Sequence, residues 1–142
     1  VRIGAKPITR DEVESAWPGI KGYVAEALAH GTGRMGPDDV LRYLVSGEMQ
    51  AFIVFDADAA KLLAVLVTEV MDYPTARVLD LALCAGERLD LWISALPWLE
   101  GFAKQAGCTQ MQVHGRAGWS RVLAPRGFRE AARVLLKGVR HG

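Results

Sequence analysis

The chain has 142 residues, 51% of them hydrophobic, with 17 Lys and Arg against 16 Asp and Glu for a formal charge of +1. That length suits one domain, residues 1–142, able to bury roughly two-thirds of its unfolded surface without disulfides or a structural metal. Both charge signs are spread along the chain, so no nucleic-acid partner is expected; the local excess at Arg116, Arg121, Arg126, Arg129, Arg133 and Arg140 reads first as a solvated face and next as a patch for the phosphates of a small cofactor.

Cys84 and Cys108 lack CxxC spacing and His partners, which speaks against a zinc site or a disulfide framework and for reduced cytoplasmic thiols. The longest apolar run, Leu62 to Val67, is too short to span a bilayer, and no charged-then-apolar segment opens the sequence. A soluble, cytoplasmic protein with no membrane partner is therefore expected.

In chain order, Ile3 to Ile8 reads as a first strand, and Thr9 or Asp11 caps a helix over Glu12 to His30. Pro18 is expected to interrupt that helix, with Ile20, Val24 and Leu28 forming an apolar stripe in its second piece. Gly31, Gly33 and Gly36 form a loop; Pro37, Asp38 and Asp39 then start a second helix through Leu44, ended by Gly47.

From Gln50 the periodicity changes. Gln50 to Phe55 and Lys61 to Tyr73 read as an antiparallel hairpin about a turn at Asp56 to Ala60, and Ala76 to Cys84 completes a meander after Pro74 and Thr75. Alternation puts Val78, Asp80 and Ala82 on one side of that strand and Leu79, Leu81 and Leu83 on the other. Leu89 to Ala106 has helical spacing with Gly107 as its cap; Pro97 inside it means a kink or a start nearer Ser94. Gln110 to His114 follows as a strand, Gly118 to Ala124 as a short helix and Ala132 to Val139 as a last strand.

This order of elements resembles the layout of the GNAT N-acetyltransferase superfamily, an α+β fold with a mixed, mostly antiparallel central sheet flanked by helices. Ile93 to Gly107 feeding Cys108 to Val113 is similar to that family's central helix and next strand. Gly118 to Phe128 resembles its short helix, with Gly127-Phe128 at the expected dipeptide. Residues 115 to 119, Gly-Arg-Ala-Gly-Trp, resemble a variant found in GNAT-like proteins of phages and prophages.

The resemblance implies acetyl-CoA as cofactor, an amine as acceptor and transfer of an acetyl group between them. It places the main chain of Leu81, Ala82 and Leu83 along the pantetheine arm, where two strands splay, and Gly86, Glu87, Arg88 and Leu89 beside the pyrophosphate. A helix start suits such an anion because its N–H groups are unpaired and its dipole is positive there.

Acetyl transfer needs a neutral amine, a polarised carbonyl and an exit for one proton. Glu69 and Asp80 are the available carboxylates, and strands paired about the Asp72–Thr75 turn bring them to one cross-strand level; the alternative is the solvated face of an antiparallel sheet. Leu123 falls near the place of the family's tyrosine acid, which leaves His114 or Ser120 as proton donors, each equally readable as a surface or capping residue. Cys84 reads as a small buried hydrophobe, and the tryptophans as packing anchors.

Glu87 and Asp90 set negative charge where the pyrophosphate is expected, opposed by Arg88. A GNAT-like structural or interaction module without catalysis therefore stands as the second reading. No motif over residues 12–46 specifies the acceptor. An exposed final strand is available to pair with a second copy as a homodimer.

Overall fold

The structure, a computed structural model, describes residues 2–86, 93–114 and 118–141. Strand β1 (Ile3–Ile8) leads through a single 3-10 turn at Arg10–Glu12 into helix α1 (Val13–Ala29). The entry is fixed by Thr9, whose main-chain N–H and hydroxyl both donate to Glu12 Oε1 at 3.1 and 2.8 Å.

Pro18 does not divide α1, contrary to the sequence expectation. It forfeits the main-chain bond to the carbonyl of residue 14, but Trp17 and Ile20 on either side are buried at 8% and 3% exposure and anchor both turns to the sheet.

Helix α2 (Pro37–Ser46) starts on a proline in its first turn, and Asp39 reaches back to accept the Gly36 N–H at 2.9 Å. Gly47, at φ +85°, closes it in the left-handed region, and the tightness of that turn brings β2 (Gln50–Asp56) directly behind. Strands β3 (Lys61–Tyr73) and β4 (Ala76–Gly86) complete the meander.

Helix α3 (Leu96–Gln105) begins later than Leu89: Pro97 lies in its first turn, where no intrahelical N–H is lost, and Leu89 to Trp92 lie outside the described residues. After Gly107 the chain enters β5 (Gln110–Val113), then the short α4 (Trp119–Leu123) and a 3-10 turn at Ala124–Arg126.

The strands form one five-stranded sheet in the order β1-β2-β3-β4-β5, antiparallel except for the parallel β4–β5 pair, whose crossover includes α3. One face packs on α3: Phe52, Val54, Leu66, Leu81 and Cys84 meet Leu99 and Leu123. Phe52 is held edge-on between Trp98 and Phe102, with ring centroids 5.2 and 5.0 Å away. On the opposite face Ala51, Val65 and Val67 pack beneath Val13, Trp17 and Val24 of α1 and Val40 and Leu44 of α2. Covering both faces explains why β3 reads as a nearly continuous apolar run.

The expected strand at Ala132–Val139 does not form. Residues 129–141 carry no strand or helix and are exposed, Leu135 at 94%. A strand needs a neighbouring edge for its N–H and C=O groups, and this segment pairs with none among the described residues.

Candidate functional site

The site grows from a break in the regularity of β4. Val67 of β3 stands opposite Leu83, yet Thr68 stands opposite Leu81, so Ala82 is an extra residue in the ladder. This bulge corrects the simple alternation read from the sequence. Leu79, Leu81 and Cys84 are buried, the last two in the core on the α3 face, whereas Ala82 and Leu83 pack with the α1–α2 core.

Beyond Leu81 the two outer strands part. The β4–β5 ladder runs from Val78↔Gln110 to Leu81↔Val113, but β4 continues to Gly86. Its edge from Ala82 to Gly86 has no strand partner on that side among the described residues. An edge of this kind fits an extended, amide-bearing ligand, which takes the place of a strand.

Glu69 and Asp80 are directly opposite each other across β3 and β4. Glu69 shares the parity of Val65 and Val67, which puts both carboxylates on the α1–α2 face. Asp80 is paired in turn with Gln112 of β5, whose Nε2 donates to Asp80 Oδ1 at 3.2 Å. Two residues on along the chain, His114 brings Nδ1 to 3.5 Å from the same oxygen while its ring stays exposed. The solvated-face alternative fails for Asp80, which is only 7% exposed, and Glu69 is half-buried.

Electrostatics follow from that placement. Desolvation pushes the Asp80 carboxyl above the ordinary aspartate value, against the opposing pull of His114 and of the Gln112 hydrogen bond. Glu69 is also raised, first by desolvation and then by the charges of Asp80 and Glu48. Two raised carboxyls on neighbouring strands hold a proton to higher pH than isolated surface acids do.

The other expected residues are not all drawn into this cluster. Ser120 sits exposed on α4, and no hydrogen bond or ion pair links it to Asp80, Glu69 or His114. Gly86 has a structural reason of its own: it lies opposite Ala64, and an added Cβ would come within 2.8 Å of both Ala64 Cβ and the Leu63 carbonyl. Glu87, Arg88 and Leu89 lie outside the described residues, as do residues 115–117 of the Gly-Arg-Ala-Gly-Trp segment.

Sequence reading sets the expected cleft between the strands around Leu81 and Gln112 but misses the bond from Gln112 to Asp80. Its signal was the spacing of Gln112 and His114, two apart on a strand and hence on one face, but the signal gains meaning only once β5 is known to lie parallel to β4 in this register. Bulge residue Ala82 left no mark in the alternation.

The architecture is that of the GNAT acyl-CoA N-acyltransferase fold. An aminoglycoside acetyltransferase from an uncultured soil metagenomic sample superposes with a TM-score of 0.72 at 14% identity, over 99% of this chain and 100% of the other. An aminoglycoside N-acetyltransferase in complex with CoA gives 0.69 at 14% identity over 99% and 96%. Glucosamine-6-phosphate N-acetyltransferase from Arabidopsis thaliana gives 0.63 at 9% identity over 99% and 100%. The sequence matches no family model and no curated protein. At such identities the likeness establishes the fold, and the chemistry has to be argued from the residues.

Proposed function

We propose that this protein is an acyl-CoA-dependent N-acetyltransferase that acts on an amine bound over Glu69 and Asp80. The observation that carries the reading is the buried Asp80, bonded to Gln112 and flanked by His114, at the point where β4 and β5 diverge. Neighbours of the same fold that are acetyltransferases, one of them bound to CoA, support it.

On this reading the main chain of Leu81, Ala82 and Leu83 holds the pantetheine arm along the unpaired edge of β4, and Gly86 to Leu89 lie near the pyrophosphate. Bound acetyl-CoA would supply the acetyl group as a thioester. The Asp80 carboxylate takes the proton that an ammonium must lose before it becomes nucleophilic, a task suited to a carboxyl with a raised pKa. Glu69 opposite it adds negative potential that draws a cationic amine to the site. His114, exposed beside Asp80, passes the proton to solvent; a proton returns to the departing sulfur from His114 or Ser120. The reading carries with it a cytoplasmic setting for the reduced Cys84 and Cys108, and the phage- or prophage-type variety suggested by residues 115 to 119.

Calorimetric titration with acetyl-CoA, followed by transfer assays on a panel of aminoglycosides and amino sugars, tests this. Asp80→Asn is expected to keep cofactor binding and to lower turnover by about a hundredfold or more. Substitution of Gly86 is a poor probe, since it disturbs β3 whether or not phosphate binds there. An undiminished rate in Asp80→Asn would remove this carboxylate from the proton path. No binding at millimolar acetyl-CoA would leave the non-catalytic interaction module as the surviving reading.

A further inference from the structure

Strand β3 changes register once against each of its neighbours. Against β2, Val54 stands opposite Ala64 but Phe55 stands opposite Leu62, so Leu63 is an extra residue. Against β4 the extra residue is Ala82, between the Val67↔Leu83 and Thr68↔Leu81 pairs. A turn sets register only as far as the first such irregularity. Residues 64–67 lie beyond that point on both sides, cut off from the β2–β3 turn by Leu63 and from the β3–β4 turn by the bulge at Ala82. Their side chains do not fix them either: all four are buried and apolar, and both faces of the sheet are apolar there, so a slip by one residue forfeits little burial.

Thr68 closes this stretch. It and Asp80 are the buried polar residues of the described structure, and Thr68 is 0% exposed. Its hydroxyl donates to Oε1 of Gln50, directly opposite on β2, at 2.9 Å. Gln50 Nε2 donates in turn to the carbonyl of Gly47, where α2 ends, at 3.3 Å. A slip of one residue carries the Thr68 hydroxyl away from this acceptor and leaves it buried without a partner, an arrangement that folded chains avoid.

We propose that Thr68 and Gln50 form a register lock that keeps the β4 bulge at Ala82, and that they are thereby positioning residues for the free edge of β4. N–H and C=O groups alternate in direction along a strand. Moving the bulge therefore reverses, for each residue it passes, which of these groups face β3 and which face the edge. The lock selects the main-chain groups of Ala82 and Leu83 that an extended ligand meets. That this ligand is acetyl-CoA rests on the acyltransferase reading; the lock itself does not.

Amide NMR of the parent should show one signal for each of residues 64–67 and 82–86. Thr68→Val, similar in shape but without the hydroxyl, should give doubled or exchange-broadened signals for those residues. It should also lower the melting temperature by about 3 °C or more and raise the Kd for acetyl-CoA about tenfold or more. Thr68→Ser, which keeps the hydroxyl, should retain single signals and parental affinity. The double variant Thr68→Val with Gln50→Leu removes donor and acceptor together, so it should recover thermal stability while the signals stay doubled and the affinity stays low. Single, parent-like signals in Thr68→Val or in the double variant would overturn the lock, because the pair would then be a satisfied polar contact and nothing more. Doubled signals with unchanged affinity would overturn the positioning role. A parent that binds no acetyl-CoA overturns the acyltransferase reading and leaves the amide signals to decide the lock. Should Thr68→Val fail to fold, the double variant decides.

Discussion

The sheet treats its middle and its β5 edge differently. Strands β2 and β3, of 7 and 13 residues, have neighbours on both edges and helices on both faces, whereas β5 has four residues, one neighbour among the described residues and half-buried side chains only from Met111 to Val113. Long antiparallel ladders with two covered faces supply cohesion. The parallel β4–β5 pair is short enough for the strands to part, and the candidate site occupies the point of parting. Asp80 stands at the boundary, still paired on both sides, so a rigid neighbour can hold a carboxylate that burial disfavours.

That contrast predicts where damage will be greatest. Phe52→Ala removes a ring that is 1% exposed and packed between Trp98 and Phe102, and should cost about 3–5 kcal/mol in chemical denaturation. Val122→Ala on α4, where Val122 is 40% exposed, should change stability by less than about 0.5 kcal/mol. Comparable losses at the two positions would mean that the C-terminal region shares the core's cohesion, and the comparison would fail.

Glycines sharpen the same distinction at smaller cost. Gly86→Ala forces a methyl group against the Ala64 Cβ and the Leu63 carbonyl, each at 2.8 Å, so β3 and β4 must separate; the denaturation midpoint should fall by an amount worth about 1–3 kcal/mol. Gly138→Ala in the exposed segment meets nothing within 4 Å and has no left-handed φ, so the denaturation midpoint should be unchanged. A tolerated Gly86→Ala would show that the end of β4 is already loose, which would move the boundary of the cohesive half back towards Leu81.

Legibility in the sequence followed the same division. β1 and β3 begin and end where composition placed them, because alternation, turn residues and β-branched density all agree there. The Glu69–Asp80 pairing was also readable, since a tight turn fixes register across a hairpin. Three features were hidden for different reasons. Ala82 is a bulge that only the partner strand's register reveals, and Gln112 joins Asp80 through a parallel pairing made some 30 residues later in the chain, where no turn sets the register. Residues 132–139 carry strand-like composition but pair with no strand edge among the described residues, and composition does not report partners.

The smallest effect tests the boundary carboxylate itself. Because the folded Asp80 carboxyl lies above its ordinary value, the native state holds a proton there over a pH range in which the unfolded chain has lost it. Its contribution to stability is therefore fully present below the unfolded value and is lost as pH rises through the folded one. Above that range the ionised, buried carboxylate is a standing penalty, and Asp80→Asn, which is neutral throughout and keeps an oxygen to accept from Gln112, removes it. Thermal melting across pH should show the variant more stable than the parent near neutrality, with the gap closing as the solution is acidified. Glu69→Gln should behave in the same sense but more weakly, as Glu69 is the less buried of the two. A variant less stable at neutral pH would mean that the ionised Asp80 gains more from His114 than it loses by burial; the cluster would then be an ion pair that holds β4 to the end of β5, rather than a base kept ready for a proton.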